Sequence, residues 1–284
     1  MSARRGTPRR ATRRARWIVG GFVAVLLALV GAAGATMVAL SQGGSPLPDP
    51  TATAPLLPGA PTVTVPPRAP AVVLTGVGFD VSYPQCRSTL PKGAGFGIVG
   101  VNGGAPLTSN KCLAEQVAWA RGTGGHAVYV NTSYPGYGDP VAFGRRIIDD
   151  AIGREHKAGV SGTAMWWLDV ETTNTWAGTT QENATVLASM AARLQESGVR
   201  VGIYSSPQQW QEIAGGWSPG LPVWNATGPG TQAAAATSCA ESFAGSTSAI
   251  VQWVQRSGSR LLDHNLVCPP WRTRGGDVLD VSGR

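Results

Sequence analysis

Residues 165–172 read Met-Trp-Trp-Leu-Asp-Val-Glu-Thr, an apolar run that ends in two carboxylates spaced i, i+2. No other stretch of the chain limits the fold as much. Side chains two apart on a β-strand share a face. Asp169 and Glu171 therefore stand side by side, about 6.6 Å apart at Cα by strand rise. Acids at the polar end of an apolar strand, just before a loop, stand where an α/β barrel carries its chemistry. Two neighbouring carboxyls repel, so one pKa rises and a poised acid can coexist with an ionised partner. The plainer alternative is a pair of solvated acids at an ordinary strand end, because perturbed carboxylates also occur in structural settings.

The surrounding chain alternates strand and helix. Strands are expected at Phe79–Tyr83, Phe96–Val101, Ala127–Val130, Ala164–Val170, Val199–Tyr204, Pro222–Trp224, Ile250–Trp253 and Leu261–Val267. Between them, Cys112–Arg121 reads as a helix stopped by Gly122. Asp139-Pro140 opens a helix on which Val141, Ile147, Ile148 and Ile152 keep helical spacing. Thr179 and Glu182 form a capping box ahead of Val186, Leu187, Met190 and Leu194, and Gly198 ends that helix. Ser206-Pro207 starts a short one. Such alternation implies a parallel sheet. About eight strands between residue 73 and the C-terminus suit an irregular (β/α) barrel of the TIM type, with fewer helices in its last third. An open doubly wound sheet is the alternative, but no glycine-rich phosphate turn lies between a strand and a helix.

Composition matters mainly at the N-terminus. The net charge is +7, yet seven of the 23 Lys and Arg fall within residues 1–17, and the other sixteen balance sixteen Asp and Glu. The basic excess is therefore no sign of a nucleic-acid partner. Residues 18–40 form a 23-residue stretch without a charge. This is long enough to span a bilayer as a transmembrane helix, with the arginines on the cytoplasmic side. A cleaved signal peptide is the rival, since Ala33-Gly34-Ala35 fits a cleavage site. Either way residues 73–284 are expected outside the cytoplasm, as a membrane-tethered or a secreted domain. Residues 41–72 are rich in Pro, Thr and Ala and read as an extended linker.

Cys86, Cys112, Cys239 and Cys268 lie in the exported part, where an even number suggests two disulfides. Three pairings are open, and Cys86–Cys112 with Cys239–Cys268 is the local choice. No Cys-x-x-Cys is present and His126, His156 and His264 are scattered, so neither a metal nor a cofactor is indicated.

Most strands end in polar or aromatic residues. Asp80, Asn131, Asp169, Glu171, Tyr204, Trp224, Asn225, Gln252, Trp253, Asp263 and Asn265 would all reach one mouth in a barrel. Acids, amides and rings together suit a carbohydrate, because ring faces stack on sugars and amides pair with hydroxyls. Trp166, Trp119 and Trp210 read as core. For Trp224 and Trp253, core and pocket are both open.

These residues resemble the family 25 glycoside hydrolases, the muramidase-type lysozymes. Gly78-Phe79-Asp80-Val81-Ser82-Tyr83-Pro84-Gln85 is similar to their Gly-x-Asp-Val-Ser-x-x-Gln opening. Leu168-Asp169-Val170-Glu171, Gly202-Ile203-Tyr204-Ser205, Trp210, Gln252-Trp253 and Asp263-His264-Asn265 follow in the family's order. The resemblance implies an irregular barrel and hydrolysis of the β-1,4 bond between N-acetylmuramic acid and N-acetylglucosamine. It makes Glu171 the general acid, with Asp169 stabilising positive charge or orienting an acetamido group or water. Asp80 and Asp263 would flank the site, and Tyr83, Asn131, Tyr204, Trp224, Gln252 and Trp253 would bind substrate. The chain departs from the pattern at Pro84 and at Gly103-Gly104, which marks a divergent branch. Two functions follow: a hydrolase of peptidoglycan or a related wall glycan, or a module that binds such a glycan without cutting it.

Overall fold

The computed structural model describes Leu74 and residues 76–271. The basic N-terminus, the apolar stretch 18–40 and the linker 41–72 lie outside the described residues. No helix among the described residues is long and apolar enough to cross a membrane.

The chain opens with β1 (Val77–Val81) and a 3₁₀ turn at Tyr83–Gln85, then β2 (Gly97–Gly100). Four strand–helix units follow: α1 (Leu113–Arg121) leads to β3 (His126–Asn131), α2 (Pro140–Lys157) to β4 (Met165–Asp169), α3 (Thr180–Glu196) to β5 (Arg200–Ser205), and α4 (Pro207–Ala214) to β6 (Val223–Pro229). The last part holds α5 (Gln232–Thr237), β7 (Ser242–Phe243), β8 (Ser246–Ser257) and β9 (Arg260–Val267). Strands β1 to β6 pair in parallel order, β8 pairs in parallel with β6, and β9 closes the ring antiparallel to both β8 and β1. The result is an eight-stranded α/β barrel, with β7 a short antiparallel strand on β8 outside the ring.

A parallel sheet with an irregular last third was expected, and β9 is where the sheet departs from parallel. Only Gly258 and Ser259 separate β8 from β9. Two residues can join antiparallel neighbours, whereas a parallel crossover needs a dozen or more. Gly258 sits at φ 61°, which this tight turn requires. The helix-poor last third follows from the same hairpin and from α5, which is only six residues long.

The helices end where the sequence says they should. The Asp139 carboxylate accepts from the Ala142 N–H at 2.7 Å, and Pro140 takes the first helical position. Thr179 and Glu182 exchange both bonds of the capping box. α2 and α3 approach closely because Gly144 has no side chain: a Cβ there would lie 2.5 Å from the Val186 carbonyl oxygen.

Strand alternation divides the residues into two cores. Val99, Val128, Val130, Trp166, Leu168, Val201 and Ile203 turn outward under the helices. Phe96, Ile98, Ala127, Met165, Trp167 and Trp224 fill the barrel. Rings this large fit only because neighbouring inward positions are glycine. A Cβ at Gly78 would lie 2.4 Å from the Phe96 ring, and one at Gly202 would lie 2.3 Å from Trp167.

Both local disulfides form, Cys86–Cys112 and Cys239–Cys268, closing segments of 26 and 29 residues. Loops of that size correspond to about 3–4 kcal/mol each. The first bond ties the segment after β1 to the start of α1. Beside it the Gln116 amide donates to the Ser82 carbonyl (2.6 Å), and the Asn110 amide donates to the Gly100 carbonyl (2.7 Å). The ends of β1 and β2 are thereby anchored to α1.

Candidate active site

Register decides which polar residues meet. Asp80 on β1 lies opposite Asp263 on β9. Asn131 on β3 lies beside Asp169 on β4, and Asp169 beside Tyr204 on β5. Gln252 on β8 lies opposite Asn265 on β9. All stand at inward positions near the C-terminal ends of the parallel strands, so three acids remote in sequence, Asp80, Asp169 and Asp263, share one mouth, and Glu171 joins them from beyond the end of β4.

A donor network underlies Asp80. The Trp224 indole N–H donates to Asn265 Oδ1 at 2.8 Å. An indole can only donate, so the Asn265 amide group is turned the other way and donates to Asp80 Oδ1 at 2.7 Å. The Tyr204 hydroxyl donates to Gln252 Oε1 (2.9 Å), and Gln252 Nε2 donates to the same Asp80 oxygen (2.9 Å). Burial and the nearby Asp263 nevertheless push the Asp80 carboxyl well above the usual range, against the pull of both amides.

Asp169 is 3 % exposed. Its Oδ2 accepts a hydrogen bond from the Asn131 amide, while its Oδ1 is buried without a hydrogen-bond partner among the described residues. Burial, followed by the Glu171 carboxyl and Asp80, raises its pKa well above the ordinary carboxylate value. Glu171 lies two residues past Asp169, beyond the end of β4, and keeps part of its surface open. Its backbone carbonyl accepts from Trp176 Nε1 at 3.0 Å, and the next N–H, of Thr172, donates to Gln209 Oε1 at 2.7 Å. Burial raises Glu171 and the Asp263 charge adds to the rise, while a hydrogen bond with Asp169 opposes it. Burial brings Asp263 to about 6. Among the described residues no cation acts on these four acids. The carboxyls of the mouth thus hold their protons more firmly than ordinary ones, as a group that hands a proton to a bound partner must.

The other sequence-derived candidates divide. Tyr83 lies on the 3₁₀ turn at the rim rather than on a strand, is 43 % exposed, and packs its ring against Gly104. Asn131, Tyr204 and Gln252 are in the network. Trp224 is 1 % exposed: it braces Asn265 from below and packs on Tyr204 at 4.5 Å, so it offers no open face to a sugar. Trp253 is also 1 % exposed and stacks at 5.1 Å on His264, which in turn packs on Phe79 at 4.6 Å. Its neighbour Gln252 faces inward, so Trp253 faces away from the mouth. Asn225 is likewise removed from the site, donating to Glu241 (2.8 Å) and Ser248 (3.2 Å). Trp253 and Asn225 share one reason, that adjacent strand residues cannot both face one side, whereas Trp224 faces inward but lies sealed beneath Tyr204 and Asn265.

Asn265, expected at the mouth without a role, completes the donor pair on Asp80. Two contributors, Tyr129 and Asn102, were absent from the sequence-derived site residues. Tyr129 stands two before Asn131 and so shares its inward face; its phenol is pushed well up by burial, with Asp169 and Asp80 adding to the rise. The i, i+2 rule that pairs Asp169 with Glu171 would have found it. Asn102 holds the backbone of Asn131.

A family described as "Lysozyme-like protein 1" matches residues 102–252 of the chain. Similar curated proteins include a probable GH family 25 lysozyme 4 of Dictyostelium discoideum, 31 % identical over 125 residues, 42 % of this chain and 55 % of that protein. A probable GH family 25 lysozyme 2 of the same organism is 38 % identical over 64 residues, 22 % of this chain and 30 % of that protein. The chain thus spans about half or less of the length of these relatives. Among solved structures, a muramidase from Acremonium alcalophilum superposes with TM-score 0.50 at 16 % identity, over 67 % of this chain and 92 % of that one. At that identity the likeness concerns the fold.

Proposed function

The chain belongs to the lysozyme-like protein 1 family, and on that premise we propose that its barrel is a muramidase-type glycoside hydrolase acting on peptidoglycan outside the cytoplasm. The observation that carries the proposal is the convergence of Asp80, Asp169, Glu171 and Asp263 on one mouth, with Glu171 the partly open member.

In this scheme a wall glycan lies across the mouth with Tyr83 at one edge. Asp169 and Glu171 are close enough to share a proton. Glu171 delivers it to the glycosidic oxygen as the bond to the anomeric carbon breaks. Positive charge grows on the sugar, and the negative charge left on the carboxyl pair stabilises it. Water then supplies hydroxide to the anomeric carbon, and its second proton returns to the carboxylates. Asp80, held by two amide donors, and Asp263 keep the pair's affinity for protons high.

Export is part of the proposal. The charge-free stretch 18–40 behind seven arginines supports delivery across, or anchoring in, the membrane. Two disulfides fit an oxidising compartment.

The test is reducing-end release from purified wall glycan by the full chain. Glu171→Gln is expected to lower kcat by about 10²- to 10⁴-fold, with glycan binding retained. If wild type and variant are equally inert while both bind glycan, the protein is a binding module instead.

A further inference from the structure

We propose that Asn102 is a positioning residue for Asp169 and acts through Asn131. The β2–β3 ladder ends at the pair Gly100–Tyr129, and the Val101 N–H adds one last bond to the Tyr129 carbonyl at 2.9 Å. The chain then leaves β3 through Gly103 and Gly104. The following rung is made by a side chain. Asn102 Oδ1 accepts the Asn131 backbone N–H (3.2 Å), and Asn102 Nδ2 donates to the Asn131 carbonyl (3.1 Å). A carboxamide carries one acceptor and a donor in the arrangement of a peptide unit, so it extends the ladder where the backbone no longer can.

From the other side, Thr132 fastens the same segment to β4. Its N–H and its hydroxyl both donate to the Asp169 carbonyl, at 3.1 and 2.6 Å. Asn131 is thus gripped between β2 and β4, and its side-chain amide can reach one target, Asp169 Oδ2. Among the described residues that amide is the only nitrogen donor on the Asp169 carboxylate, and Oδ1 has no partner of its own. Asn102 itself is 2 % exposed and does not touch the open part of the mouth. Its effect on chemistry passes through Asn131.

The remaining groups facing Asp169 are Glu171, Asp80 and the phenols of Tyr129 and Tyr204. The Tyr204 hydroxyl is already committed to Gln252 Oε1, and the Asn131 amide is the group set against Asp169 Oδ2. With the grip removed, the Asn131 amide wanders and Asp169 becomes harder to ionise and to aim.

The kinetic arm of the test rests on the hydrolase proposal; the spectroscopic arm does not. The carboxyl ¹³C resonance of Asp169, assigned by its loss in Asp169→Asn, is titrated in wild type and in Asn102→Ala. The titration is expected to move upward by half a unit or more. On wall glycan, kcat per folded molecule is expected to fall about 10- to 100-fold with KM within twofold. Asn102→Asp adds a signature that simple destabilisation lacks. Its protonated carboxyl offers one donor and one acceptor like the amide, so its kcat relative to wild type should climb as pH falls, at constant folded fraction. If Asn102→Ala does not fold, Asn102→Thr, which can serve one of the two backbone groups, is read in the same way. An unmoved Asp169 titration overturns the proposal, whatever the melting temperature does. If wild type is inert on glycan but the titration moves, the hydrolase proposal fails and the positioning role stands. If wild type cuts glycan and the titration does not move, the reverse holds.

Discussion

The floor and the mouth of this barrel are built from the same strands by the same alternation, yet they follow opposite rules. On β4, Met165 and Trp167 face inward below and Asp169 faces inward above. On β5, Gly202 lies below and Tyr204 above. The floor is apolar and close-packed, with inward glycines giving room to the rings of Phe96 and Trp167. The mouth crowds four acids together, with no cation acting on them among the described residues, and shifts their proton affinities upward. Stability therefore resides below, and the mouth opposes it at neutral pH. A volume change should be costly in the floor and a charge change should be favourable in the mouth.

The largest contrast is between Trp167→Ala and Glu171→Gln. Emptying the floor is expected to cost about 3–5 kcal/mol in urea unfolding, a large share of a typical domain's stability of about 5–15 kcal/mol. Glu171→Gln should leave unfolding unchanged or slightly more difficult at pH 7, because it removes a carboxyl whose ionised form is disfavoured by burial. A similar loss of stability in both variants would break the comparison. Overfilling tests the floor from the other direction. Gly202→Ala places a methyl 2.3 Å from the Trp167 ring and should cost about 1–3 kcal/mol.

The pH dependence of stability separates the two regions next. Asp263 is raised from 3.8 to about 6. A carboxyl raised in the folded state binds more protons there than in the unfolded chain, so stability falls as pH rises between those two values. The contribution is fully present below about pH 4 and lost above about pH 6, with Asp80, Asp169 and Glu171 extending the loss in the same direction. Allowing for solvent at the mouth, Asp263 alone should account for about 1–2 kcal/mol. Asp263→Asn should flatten that slope in unfolding measured from pH 4 to 8, and Trp167→Phe should not. An unchanged slope in Asp263→Asn would show that its carboxyl is not held back by the mouth.

How much of this was legible in the chain follows from one rule and the places it was not applied. Period-2 alternation put Asp169 beside Glu171, and a barrel then brought Asp80 and Asp263 to the same end. The same rule admits only one of Gln252 and Trp253, and one of Trp224 and Asn225, yet both members of each pair were expected at the site. It also includes Tyr129 once Asn131 is included. Register was not legible, because the order β8–β9–β1 depends on a two-residue turn and on closure across distant strands. Without that order, nothing in the sequence puts Asn265 and Gln252 on one oxygen of Asp80. Asn102 is not legible for another reason: it lies beyond the end of β2, where side-chain alternation no longer applies.

The smallest effects are expected at the rings, where they also separate rim from outer wall. Tyr83 is open at the mouth and Tyr137 is 76 % exposed elsewhere among the described residues, whereas Trp253 is sealed against His264. Stacking one ring on a sugar contributes about 0.5–1.5 kcal/mol, or roughly a two- to tenfold change in affinity. Tyr83→Ala should therefore raise KM on wall glycan within that range and leave kcat nearly unchanged, since Tyr83 is not among the groups acting on the four acids. Trp253→Phe should leave KM unaltered, because the ring it shortens never faces the glycan, and should lower stability modestly through the lost packing on His264. If instead Trp253→Phe weakened glycan binding and Tyr83→Ala did not, the substrate would run over the outer face of β8 and β9. The four acids would then lie on the wrong side of the sheet to act on it.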